Sequence, residues 1–247
     1  MRNIGFEPTN RIRLIRWLAR IVIRILKLDG INMFSNEFIQ SLNPKNSLKF
    51  REKIFYFRTG HGRLNWRVTS FFSEEPLIIE WLDKMKEDDI FLDIGANVGT
   101  YTIPACAFVK KCYAVELDFN NLQLLFDNLH MNKLSEKCLI LPFPLHENTS
   151  VQDIYYRDFS KGDALQSVSR PSPYLSKVIA ETNKGFKINQ LSFSLDDIFD
   201  IFNLELPNKI KIDVDGNEEF VINGGRKVIM QAQEVHYESS GLDDQSD

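Results

Sequence analysis

The sequence predicts an α/β fold in which a doubly wound, mostly parallel sheet carries helices on both faces. Three observations predict it. From residue 90 onward, short apolar runs alternate with helix-length segments, the pattern of parallel strands joined by helical crossovers. One run, Ile90-Phe-Leu-Asp-Ile94, leads straight into a glycine turn, Gly95-Ala-Asn-Val-Gly99. A later run, Ile210-Lys-Ile212, ends in an acidic turn, Asp213-Val-Asp-Gly216. In an open sheet of this kind ligands bind beyond the carboxyl ends of the strands, where both turns fall.

The bulk properties fit one such domain with an attachment. The chain has 247 residues, 43% hydrophobic and 26% charged, ordinary values for globular material. The net charge of −4 hides an asymmetry, because residues 1–30 carry seven Arg/Lys against Glu7 and Asp29. The remainder is therefore strongly acidic, which argues against nucleic acid as a partner. Cys106, Cys112 and Cys138 have no CxxC spacing. They point to a reducing, cytoplasmic setting and to neither a disulfide framework nor a zinc site.

Taken in order, residues 1–50 read as a basic amphipathic helix and a linker, and 51–247 as the body, with an insertion at about 151–194. In the segment 11–28, Arg13, Arg16, Arg20, Arg24 and Lys27 recur every three or four residues, which gathers them on one helical face. Two readings stand: peripheral contact with an anionic membrane, or a helix packed on the body or on a second subunit. Its charges exclude a clean signal peptide or a bilayer span. Residues 53–58 and 64–72 flank Thr59-Gly-His-Gly-Arg63 and read as a β-hairpin. A helix is expected from Pro76 to about Lys86. Strands follow near 90–94, 112–116, 138–142, 209–214 and 234–238, with helices near 98–108, 119–131, 195–202 and 217–230. The segment 151–194 breaks the alternation with strand-like pieces at 151–157 and 186–194 around a Ser/Pro-rich stretch, 160–176. It reads as a hairpin or a mobile loop.

The candidate site residues lie at the strand ends. Gly95 permits a positive φ and close approach of a ligand, and Gly99 permits close packing of the next helix. Amide groups around Ala96 and Asn97 suit a carboxylate, and Asp93 suits an ammonium. Glu116 follows Gly95 by 21 residues, the separation at which an acid accepts hydrogen bonds from the ribose of an adenosine cofactor. A dinucleotide fingerprint requires glycine where this chain has Asn97, and Gly or Ala at Thr100. The pattern therefore favours S-adenosyl-L-methionine over a nicotinamide cofactor. Asp213, Asp215 and Glu218 form an acidic cluster with three readings: a base or acceptor anchor, a hard-cation site, or caps for the following helix. Glu234, His236 and Glu238 share one strand face, and His236 is a candidate general base. His146, just after the third strand, is a candidate adenine contact.

Asp93-Ile-Gly-Ala-Asn-Val-Gly-Thr-Tyr, Ala114-Val-Glu-Leu-Asp, Ser194-Leu-Asp-Asp-Ile and Lys211-Ile-Asp-Val-Asp-Gly-Asn-Glu occur in that order. This series resembles the FkbM-type methyltransferases, a class I, S-adenosylmethionine-dependent family, over roughly residues 70–238. The resemblance implies a Rossmann-like sheet and O-methylation of a hydroxyl on a sugar, glycan or small metabolite. It implies that Asp93, Gly95, Asn97 and Gly99 hold the methionine end, that Glu116 holds the ribose, and that Asp213–Glu218 lies beside the reaction centre. Pro144 and Asp215 depart from the family pattern. The sequence also lacks the C-terminal strands usual for the class, which leaves an apolar sheet edge for a partner or a second copy. The other functional readings are a nicotinamide-dependent oxidoreductase and a non-catalytic scaffold or membrane-surface binding protein.

Overall fold

The computed structural model describes residues 17–18, 44–59, 62–157, 162, 164, 166–182 and 185–238. The helix expected over 11–28 lies outside them, apart from Trp17 and Leu18. No helix among the described residues is long and apolar enough to cross a membrane.

Five parallel strands form the centre: β3 (Ile90–Ile94), β4 (Lys111–Val115), β5 (Cys138–Leu141), β9 (Lys209–Ile212) and β10 (Glu234–Tyr237). Their spatial order is β10-β9-β3-β4-β5. The chain winds outward from β3 to β5 and then returns to build β9 on the other side. The switch point thus falls between β3 and β9, where Asp93 pairs with Lys211 and Ile94 with Ile212.

Strand alternation divides the core in two. Ile90, Leu92 and Ile94 point to one face with Tyr113, Val115, Ile210 and Ile212. There they meet helix α7 (Leu195–Ile201) and the pair α8 (Glu218–Gly224) and α9 (Arg226–Gln231). Phe91, Cys112, Ala114 and Cys138 point to the other face. That face is covered by α4 (Thr102–Cys106), α5 (Phe119–Met131) and the N-terminal elements. Burial on both sides explains why β3 reads as an apolar run.

The N-terminal hairpin is displaced from its expected position. Residues 45–50, expected to be linker, form β1 (Lys45–Phe50), which pairs with β2 (Lys53–Arg58) through a turn at Arg51-Glu52. Residues 64–72, expected to supply the second strand, lie instead in α1 (Gly62–Thr69) and α2 (Phe71–Glu74). The apparent alternation of Leu64, Trp66 and Val68 competed with a helical spacing, and Leu64, Val68 and Phe71 are the residues that become buried. Arg51 adopts φ +50°, a turn conformation without its usual Gly or Asn signal. The hairpin is fastened to α5 by amide side chains that imitate a neighbouring strand. Tyr56 exchanges backbone hydrogen bonds with Asn132 at 2.7 and 2.9 Å, and Arg58 N–H donates to Asn128 Oδ1 at 2.9 Å. The next helix, α3 (Pro76–Asp83), begins at its proline as expected.

Two helices are shorter than their patterns. Asn97 (φ +50°) and Gly99 (φ +86°) hold the chain out of helix, so α4 starts only at Thr102. The helix expected over 217–230 breaks at Gly224-Gly225. Asp196 accepts from the amides of Lys227 and Val228 and so caps α9.

The insertion is a small antiparallel sheet of β6 (Ser150–Tyr156), β7 (Ser167–Val168) and β8 (Phe186–Ser192), ordered β7-β6-β8. Part of the stretch expected to be irregular forms α6 (Pro173–Thr182). Asn217 ties this sheet to the acidic turn. Its Oδ1 accepts from Val168 N–H at 2.9 Å, and its Nδ2 donates to the carbonyls of Gln166 and Val214.

Candidate active site

A cavity of about 250 Å³ opens at the switch point. Ile94–Asn97, Val115–Leu117 and Phe143–Leu145 line one half. Trp66, Arg67, Glu75, Tyr101, Lys211, Asp213 and Glu238 line the other. Gly95, Ala96, Asn97, Glu116 and Asp213 are thus brought to one cavity. Asp93, Gly99, His146 and His236 do not line it.

The glycine turn is shaped by its neighbours as much as by any ligand. Gly95 has φ +85°, and a Cβ there would lie 1.8 Å from the carbonyl oxygen of Asp213. The ends of β3 and β9 approach too closely for any side chain. A Cβ on Gly99 would meet Leu125 of α5 at 2.7 Å. The amides of Gly95 and Ala96 both donate to Val115 O, and that of Asn97 donates to Glu116, so the amides expected to receive a carboxylate instead fold the turn back over β4.

Glu116 is only 6% exposed. Its two oxygens accept from Asn97 N–H at 2.8 Å and Asp118 N–H at 2.7 Å. Burial pushes its pKa up to about 7; the backbone donors oppose the rise and the nearby Asp118 charge adds to it. Each carboxylate oxygen has a second lone pair, so Glu116 can still accept from two hydroxyls.

Asp93 sits deeper than its motif suggests. Thr102 Oγ1 donates to its Oδ2 at 2.6 Å, and the ammonium of Lys211 stands 3.6 Å from Oδ1. That oxygen has no hydrogen-bond partner among the described residues. Burial raises the Asp93 pKa, against the pull of Lys211.

Lys211 is a cavity residue that the sequence did not single out. The lysines of Lys209-Ile-Lys-Ile212 alternate with the core isoleucines, which would ordinarily put them in solvent. Here both faces of β9 are covered, and Lys211 is 2% exposed. It donates to Asp213 Oδ2 at 2.7 Å, and its ammonium lies 5.4 Å from the ring centre of Tyr101. Burial disfavours its charge, but Asp213 and Asp93 outweigh that and hold its pKa above the ordinary lysine value. The signal was the pairing of a buried-strand lysine with acids two residues on and on the adjacent strand.

Asp213, 27% exposed, is the reachable acid of this group. Burial works against its charge, yet Lys211 keeps its pKa below the usual carboxylate range. Glu238 shares a side-chain hydrogen bond with it, and burial together with the charges of Asp213 and Glu75 lifts Glu238 to about 7. Tyr101 donates to Glu75 Oε1 at 2.8 Å. Burial and Glu75 keep the phenol protonated far above neutral pH.

His146, Glu218, Glu234 and His236 lie off the cavity wall, although burial lowers the His236 pKa and the charges of Glu75, Lys211 and Asp213 reach it. His236 stacks on Trp81 with ring centres 5.5 Å apart, and Glu234 accepts from the same indole at 2.6 Å. His146 packs on Phe220 at 4.5 Å. Glu218 accepts from Gly216 N–H, so it braces the acidic turn. No His/Cys/Asp/Glu group among the described residues is arranged to hold a metal ion. All three cysteines are free and buried.

A parallel sheet with a glycine turn and a ribose-spaced acid at its switch point belongs to the α/β enzymes that bind an adenosine cofactor, class I methyltransferases among them. The comparisons narrow this further. A family model, the methyltransferase FkbM domain, matches residues 93–245. The chain belongs to the FkbM methyltransferase family, and S-adenosylmethionine is the cofactor that membership brings. Among curated proteins it is similar to the hexuronic acid methyltransferase AglP of Haloferax volcanii, 24% identical over 159 residues, 64% of this chain and 59% of that protein. A shorter match joins it to the tRNA (guanine(37)-N(1))-methyltransferase Trm5b of Methanocaldococcus jannaschii, 34% identical over 58 residues, 24% of this chain and 17% of that one. The chain therefore spans less than two thirds of either relative. Among solved structures it resembles an FkbM methyltransferase of Methylobacillus flagellatus, at 17% identity and TM-score 0.45, over 71% of this chain and 41% of that one.

Proposed function

We propose that the protein transfers a methyl group from S-adenosylmethionine to a hydroxyl oxygen of a sugar or glycan. One observation carries this reading: a single cavity joins the glycine turn and Glu116 to a second half holding Lys211, Asp213, Glu238 and Tyr101.

The cavity's donors and acceptors fit the cofactor. Glu116 has free lone pairs for both ribose hydroxyls. Thr100 Oγ1 lines the cavity and has no hydrogen-bond partner among the described residues. Asp93 Oδ1, without a hydrogen bond among the described residues but 3.6 Å from the Lys211 ammonium, lies behind the wall at the end of the pocket proposed for the methionine ammonium. Val115, Leu117, Phe143 and Leu145 offer apolar surface for a flat base. When bound, the cofactor supplies an electrophilic methyl on a positively charged sulfur.

The chain's own residues would align, orient and deprotonate. Gly95–Asn97 and Glu116 fix the donor half. Asp213, ionised and anchored by Lys211, takes the proton of the acceptor hydroxyl. Glu238 shares the proton with it. Holding both reactants in one cavity supplies the larger part of the rate. The hexuronic acid substrate named for the Haloferax relative supports a sugar acceptor here.

Calorimetry with S-adenosylmethionine tests the donor site. Wild type should bind, and Glu116→Ala should lose most of the affinity. Binding of NADH in preference would return the oxidoreductase reading.

A further inference from the structure

The acceptor half of the cavity contains a cation that the donor reading does not use. Arg67 and Trp66 sit side by side on α1 and both line the cavity. This helix precedes the matched family region, which starts at residue 93. Arg67 donates through Nε to the carbonyl of Gly162 at 3.2 Å. That bond fixes the guanidinium plane. Its two terminal nitrogens, with four N–H groups, make no hydrogen bond or ion pair among the described residues. Lys211, the other cation on the wall, is already committed to Asp213 and Asp93. Arg67 is therefore the cavity cation with donors to spare.

The indole of Trp66 is 40% exposed. An exposed indole beside a guanidinium is a flat apolar platform next to a fork-shaped anion receptor. Around them stand hydroxyl-binding groups: Glu75, which accepts from Tyr101 on one oxygen and has no hydrogen bond on the other among the described residues, and the Asp213–Glu238 pair. A ring with several hydroxyls and one negative group satisfies all of these together. The Arg67 charge already helps to hold Asp213 ionised, but a neutral sugar would give its terminal N–H groups no anion to bond in this part-buried site.

We propose that the acceptor is a sugar bearing an oxyanion, a carboxylate or a phosphate, with its ring against Trp66 and its anion on Arg67. This deepens the preceding reading and rests on it. In this arrangement the anion orients the ring on Arg67, and the hydroxyl that faces Asp213 receives the methyl group as Asp213 takes its proton.

The test uses the whole chain loaded with S-adenosylhomocysteine. Glucuronic acid, glucose 6-phosphate and glucose are titrated in turn, with binding read by ligand-observed NMR. At least one anionic sugar should bind about tenfold tighter than glucose, the worth of one charged hydrogen-bonded pair. Which anion wins identifies the group. Arg67→Met should erase the preference, and Arg67→Lys should keep part of it. Trp66→Ala should weaken all binding sugars, and Trp66→Phe should restore much of that loss. S-adenosylhomocysteine affinity should stay constant across these variants. Equal binding of glucose, an anion preference that survives Arg67→Met, or no sugar binding at millimolar concentration overturns the proposal while leaving the donor site standing. Failure of S-adenosylhomocysteine itself to bind would instead fall on the preceding reading and take this one with it.

Discussion

Donor affinity should depend on pH through one residue, Glu116. Its carboxyl is pushed up to about 7 because burial outweighs the backbone amides of Asn97, Leu117 and Asp118 that favour its charge. Only the carboxylate can accept from both ribose hydroxyls while keeping those amides, so protonation removes the binding form. The apparent dissociation constant then rises by one plus the ratio of protonated to ionised Glu116. That factor is roughly 11 at pH 6 and 1.1 at pH 8, a weakening of about tenfold across the interval. Glu116→Gln has no such titration. It should lose about 1.5–3 kcal/mol, or ten- to a hundredfold in affinity, at pH 8, and its profile should be flat. Calorimetry from pH 6 to 8 on both proteins measures this. A flat wild-type profile, or a Glu116→Gln profile with the same slope, would refute the assignment, since Glu238 titrates in the same range.

The same titration has a stability consequence. The folded pKa of Glu116 lies above its ordinary 4.5, so the native state holds the proton more tightly than the unfolded chain. Stability is therefore lost as pH rises from about 4.5 to 7, by at most about 3–4 kcal/mol; urea unfolding should show Glu116→Gln gaining on wild type over that window. Lys211→Met leaves Asp93 and Asp213 without their buried cation and should cost about 3–5 kcal/mol at pH 8. That loss should shrink on acidification as Asp93 takes up a proton, and a pH-independent loss would contradict the ion-pair account. Gly95→Ala drives a methyl group into Asp213 O at a positive φ and should destabilise by about 3 kcal/mol or more in thermal unfolding. Asn217→Ala strands Val168 N–H and two carbonyls. It should cost about 2–4 kcal/mol, with faster amide exchange in β7 as the local signature.

The central sheet was legible because both of its faces are covered. Ile90–Ile94 and Ile210–Ile212 must be apolar on at least one face, and the glycine turn needs positive φ at Gly95. The spacing from Gly95 to Glu116 reflects one complete β-α-β unit, so the sequence carried it directly. The N-terminal hairpin was misplaced because its tight turn, Arg51-Glu52, uses no Gly, Asn or Pro, while Gly60 and Gly62 offered a stronger turn signal nearby. Asp93 followed its motif to the strand end, but tertiary packing decided that Lys211 lines the cavity while Asp93 does not. Such a choice depends on which residues of adjacent strands face each other, 118 positions apart in the chain. His236 illustrates the reverse case, since its strand face was legible but its stacking on Trp81 of α3 was not. Arg67 lay in a segment read as strand, so its place beside Trp66 on a helix could emerge only from the fold.

A crystal structure with S-adenosylhomocysteine would test the central claim most directly. The account predicts adenosine between Leu117 and Phe143, both ribose hydroxyls on Glu116, and the amino acid end against Gly95–Asn97. Density for the ligand anywhere else, or ribose hydroxyls out of reach of Glu116, would contradict it.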